Sequence, residues 1–159
     1  MSKPQDNSAT TNKTDTPSLH PKQVIKTSSC QALSGNGEIG YEFSLDNKKT
    51  LHIRITSNTG GGYFTGEHVA LTEIESELFS QPDPSRLTSG ALQPLFRGKS
   101  VNTPAFLMAA LRNEGFVKPI GELKRFHQCV DAKSFKALIK KFTKVQKPQK
   151  LAMSSTTGQ

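Results

Sequence analysis

Between residues 38 and 56 the side chains alternate with a period of two. Ile39, Tyr41, Phe43 and Leu45 interleave with Glu38, Gly40, Glu42 and Ser44. After Asp46-Asn47-Lys48-Lys49 the alternation resumes, with Leu51, Ile53 and Ile55 set against His52, Arg54 and Thr56. Successive residues of a strand point to opposite faces, so this pattern predicts an antiparallel hairpin turning at Asp46-Asn47. One face of it is apolar and has to be covered by other elements.

The material for that cover follows in the chain. Of the large and small apolar residues, 8 lie in residues 1–37, 42 in residues 38–146 and 3 in residues 147–159; all nine Phe lie between Phe43 and Phe142. We therefore expect one α+β domain over residues 37–146: an N-terminal antiparallel hairpin or small sheet packed on three to four helices. Residues 1–36, rich in Ser, Thr and Asn, read as a disordered polar tail with at most a brief ordered contact at Val24-Ile25. Residues 147–159 read as a flexible C-terminal tail.

The helices announce themselves unevenly. Thr72 with Glu75 has the spacing of a capping box, and Ile74 and Leu78 recur at helical spacing to Phe79. A short helix is expected from Ser89 to Arg97, limited in regularity by Pro94. Thr103-Pro104 reads as an N-cap hydroxyl followed by Pro at the first helical position, and Gly115 as the stop. Leu123 to Val130 fits strand and helix about equally. Asp131 or Ser134 then caps a last helix with Phe135, Leu138, Ile139 and Phe142 on one face and lysines on the other. Tyr63-Phe64 and His68 to Leu71 are candidates for a short third strand.

Charge is divided as sharply as hydrophobicity. The net formal charge is +8, but residues 38–96 carry 4 Lys/Arg against 8 Asp/Glu, and residues 97–159 carry 13 against 3. A basic half of this density attracts a polyanion. The expected partner is nucleic acid, DNA ahead of RNA, with an acidic protein as the alternative. Phosphate contacts are assigned to Lys118, Lys124, Arg125, Lys136, Lys140, Lys141 and Lys144. Arg97, Lys99, Ser100, Asn102, Thr103 and Arg112 are placed at or near the duplex. With no Trp and two Tyr, phosphate contacts are expected to outweigh aromatic stacking.

From residue 72 onward the order is helix, short helix, helix ending in Leu111-Arg112-Asn113-Glu114-Gly115, then the apolar pair Phe116-Val117 and a basic extended stretch. In element order this resembles the winged helix-turn-helix class over about 60 residues. The resemblance implies a recognition helix from Thr103 to Glu114 and a wing from Lys118 to Val130 carrying Lys118, Lys124 and Arg125. The apolar middle of that helix, Ala105 to Ala110, is unsuited to reading base edges.

Other chemistries find little support. Gly61 to Gly66 has the spacing of a phosphate-binding loop, but Glu67-His68 stands where Lys-Ser/Thr is needed. The glycine backbone could instead approach a partner closely, with Tyr63 and Phe64 beside it. Cys30 and Cys129 cannot form a disulfide framework, and His127-x-Cys129 lacks a second pair of metal ligands. We expect no enzyme, no cofactor and no metal. The runner-up is a protein-interaction module, an adaptor or secreted effector with an acidic and a basic face. No apolar run approaches the ~20 residues of a membrane span, and no apolar stretch follows the first lysine, so a cytoplasmic location is expected.

Overall fold

The computed structural model describes residues 22–144, apart from the side chains of Leu123 and Lys124. Four strands form one antiparallel sheet in chain order: β1 (Gln23–Gln31), β2 (Glu38–Leu45), β3 (Leu51–Asn58) and the two-residue β4 (Val69–Ala70). Helix α1 (Leu71–Phe79) follows directly, then a 3-10 helix (Ser89–Phe96), α2 (Thr103–Glu114), and a two-stranded hairpin of β5 (Val117–Ile120) and β6 (Leu123–Cys129). A last helix, α3, spans 132–144. The architecture is α+β, with three α-helices and one 3-10 helix among the described residues.

The central hairpin forms where the alternation predicts it. Leu45 pairs with Leu51 and Phe43 with Ile53. Asp46 closes the turn: its Oδ1 accepts the N–H groups of Lys48 and Thr50, and Lys49 takes a left-handed φ of 66°. The inward face is fully enclosed, with Ile39, Tyr41, Phe43 and Ile53 at zero exposure.

The expected disordered segment to residue 36 requires correction. Gln23 to Gln31 is a nine-residue strand paired along its length with β2, with one register shift between Val24 and Lys26. Its ladder is built from backbone groups, which any sequence supplies, and Ile25 is its one buried large side chain. The tails expected over residues 1–21 and 147–159 lie outside the described residues.

Two capping assignments also shift. The Thr72/Glu75 box does not form, because β4 runs straight into α1 and Ala70 occupies the N-cap with no side-chain bond. Thr103 is the first residue of α2 rather than its cap; the capping oxygen belongs to Ser100, which accepts the N–H groups of Asn102 and Thr103. At the far end Gly115 closes α2 as expected, with φ 90°. Asp131 caps α3 by accepting the Ser134 N–H, and Leu123 to Cys129 resolves as a strand.

Helix α2 lies in the core. Seven of its twelve residues are buried, including the run Leu107 to Leu111, and Leu107, Met108, Ala110 and Leu111 join the same apolar cluster as the β2–β3 face. Helix α3 seals the cluster with rings: Phe142 stacks on Phe43 at 4.3 Å, and Phe135 lies 4.7 Å from Phe116. The third helix of the winged order is thus spent largely on packing, with Asn113 its one exposed residue.

Candidate functional site

The cations assigned from sequence fall into three groups. The first sits at the N-terminal end of α2. Arg97 and Lys99 line an open cleft of about 580 Å³ together with Tyr63, Phe96, Val101 and backbone from two glycines. Lys99 is neutralised by Glu67 at 2.6 Å, while Arg97 is exposed and pairs with no carboxylate among the described residues.

Ser100, Asn102 and Thr103, placed at the duplex from sequence, are engaged internally. Thr103 is fully buried; its Oγ1 accepts the Thr65 N–H at 3.0 Å and donates to Ser100 Oγ at 2.8 Å. Asn102 Nδ2 donates to the Tyr63 carbonyl at 2.9 Å, and Ser100 Oγ approaches the same oxygen at 3.3 Å. These side chains tie the glycine loop to α2, and Thr103 is corrected from a contact residue to a structural one.

Asn58 holds the loop from the other side. It accepts the Gly60 N–H and donates to the carbonyls of Gly61 and Gly62. Gly37 and Gly60 are required by their close approach, since a Cβ on Gly37 would collide with the Gly60 backbone. The result is a pinned loop that presents Tyr63, whose ring is 71% exposed. Sequence reasoning noted this ring beside the three glycines but did not count it among the contact residues.

The second group lies on the β5–β6 hairpin. Lys118 and Arg125 are exposed. Arg125 lies 5.0 Å from the Phe126 ring, and Arg86, which the sequence reading did not single out, lies 4.2 Å from it. The Lys124 side chain is outside the described residues. Arg112, between groups, donates to the Gln31 carbonyl at 3.4 Å.

The third group is α3. Lys133, Lys136, Lys140, Lys141 and Lys144 are all exposed. At 3.6 residues per turn they occupy about 140° of arc opposite Phe135, Leu138, Ile139 and Phe142, over roughly 16 Å. No acidic residue interrupts the helix. Lys136 pairs with Glu75; the other four make no ion pair among the described residues. The acids nearby are engaged elsewhere. Glu114 accepts from Lys26 and from the Tyr41 hydroxyl, and Asp131 caps the helix.

The cleft and the α3 ridge meet α2 at opposite ends of an axis about 18 Å long, since Lys141 and Phe142 lie beside Glu114 while Tyr63 and Ser100 hold the N-terminus.

Among the described residues, His127 and Cys129 are buried and His52, His68 and Cys30 half-buried. Burial, then the nearby Lys22 and Arg54 charges, push His68 down to about 4; burial and Lys22 also lower His52. His127 is fully buried, and burial and Arg112 lower it against a weaker opposing effect of the Arg125 backbone. The Cys129 thiol is pushed up to about 11 by burial and by Glu75. Among the described residues no group of three or more His, Cys, Asp or Glu could hold a metal ion, and no helix is long and apolar enough to cross a membrane.

Compared with known proteins, the chain matches no family model, no curated protein and no solved structure.

Proposed function

We propose that this chain is a non-enzymatic nucleic-acid-binding accessory or regulatory protein that grips the phosphate backbone through α3. The observation that carries this reading is the acid-free lysine ridge of α3, four of whose five cations are unpaired among the described residues. Such a ridge releases counterions when it neutralises phosphates. Lys118 and Arg125 on the β5–β6 hairpin add to the same field. The winged-helix element order enters only through that hairpin, since α2 is buried; readout of sequence is therefore thin and affinity is carried by charge. The state of Cys129 supports a role without catalysis: a thiol raised to about 11 is protonated at neutral pH and a poor nucleophile.

The test is a filter-binding titration of labelled DNA and RNA across salt. The expected result is affinity that falls steeply and linearly on a log–log plot. Absence of binding to either polymer at low salt overturns the reading. The adaptor reading shares the lysine face but predicts capture of an acidic protein that nucleic acid does not displace.

A further inference from the structure

We infer that the cleft at the N-terminal end of α2 takes one unstacked base of a single strand, with Tyr63 as its stacking surface and Arg97 on the adjoining phosphate. This rests on the nucleic-acid reading above and specifies the strand state that reading leaves open.

Three observations converge. Val101 and Tyr63, at 79% and 71%, are the two most exposed large apolar side chains among the described residues, and both line the same cleft. Large exposed apolar groups scattered singly need no explanation, but two that share one concave site do. Second, the Tyr63 backbone is fixed. Its carbonyl oxygen accepts from Asn102, and its loop is tied by Asn58 and by the Thr65–Thr103 bond. A ring on a pinned loop loses little freedom when a partner stacks on it. Third, charge selects the partner. Lys99 is cancelled by Glu67, and Arg97 is left as the unpaired charge of the cleft. A planar ring, an apolar edge and one guanidinium together fit a base and its phosphate. The cleft volume, about 580 Å³, falls within the range of small-ligand sites. A base inside a duplex is stacked on both sides and cannot offer its face to Tyr63.

The experiment titrates the full chain with a labelled oligothymidylate and with a blunt duplex of equal length, for the wild type, Tyr63→Ala, Tyr63→Phe and Arg97→Gln. Tyr63→Ala should weaken single-strand binding about 5- to 150-fold, the span of one lost base–aromatic stack, and leave duplex binding unchanged. Tyr63→Phe should retain affinity. Arg97→Gln should weaken the single strand and reduce its salt slope by about 0.7. The intrinsic fluorescence gives a second reading. The chain has no Trp and two Tyr, and Tyr41 is buried with its hydroxyl donating to Glu114, so quenching of tyrosine emission by the single strand should vanish in Tyr63→Phe, and quenching that persists there overturns the cleft. Single-strand affinity unchanged in Tyr63→Ala, with wild-type binding intact, overturns the cleft and leaves the proposed function standing. Equal weakening on both strand states also overturns it. Failure of the wild type to bind either polymer removes both.

Discussion

Gly115 ends α2 with φ 90°, and a Cβ built there meets nothing within 4 Å. The cost of Gly115→Ala is therefore conformational alone, about 1 kcal/mol. We expect a Tm lower by several degrees with an unchanged fold, measured by thermal unfolding. The histidines set a different dependence. His52, His68 and His127 are all held below their ordinary value, His68 at about 4. The groups facing the first two are Lys22, Arg54, Asp46, Glu42 and Glu73, and the two rings face each other; Arg112 faces His127. An unfolded chain takes up these protons first, so their contribution is complete above about pH 6.5 and is lost as pH falls from there toward 4. Tm should decline over that window, before the carboxylates titrate. A Tm that is flat from pH 7 to 5 would contradict the burial of these rings.

At the scale of elements, Ser100 joins the glycine loop to α2. Its Oγ accepts two backbone N–H groups and meets the Thr103 hydroxyl. Ser100→Ala should cost about 1–2 kcal/mol in denaturant unfolding, as for other N-terminal capping oxygens. It should also free Tyr63 and so weaken single-strand binding less than Tyr63→Ala does. The β2–β3 hairpin was legible because its large apolar side chains all fall on one face while the other carries small or polar residues, which writes a period of two into the sequence even though Gly40 and Ser44 on that second face are buried too. Strand β1 was not, because an edge strand held mainly by its ladder carries Lys26, Ser28 and Cys30 where β2 carries Phe43, Tyr41 and Ile39. Thr72 and Thr103 misled for one reason: a hydroxyl shows that a helix begins nearby but not at which residue. Helix α3 was legible on both faces, through its apolar ridge and its lysines. The cleft was not, because Tyr63, Arg97 and Val101 come together only when the glycine loop folds back on the start of α2.

For the molecule as a whole, acids and cations are distributed unequally along the surface. Glu75, Glu67 and Glu114 each accept from a lysine, and the cations that pair with no carboxylate among the described residues stand on α3, the β5–β6 hairpin and the cleft, with Lys22, Lys48, Lys49, Arg86 and Arg112 elsewhere. The sequence reading treats residues 97–159 as one basic half. The structure divides the cations among three places, with α3 the densest, so the account now depends on that helix. The direct test compares the wild type with a Lys140→Gln/Lys141→Gln/Lys144→Gln variant, all three positions being exposed. The fluorescence anisotropy of a labelled DNA duplex is followed from low to moderate salt. The account predicts a steep wild-type slope in the log–log plot and a variant slope shallower by about 2.7, corresponding to three released counterions at about 0.9 each, with the Tm of the two proteins alike. Two superimposable plots, or no wild-type binding at the lowest salt, would contradict it.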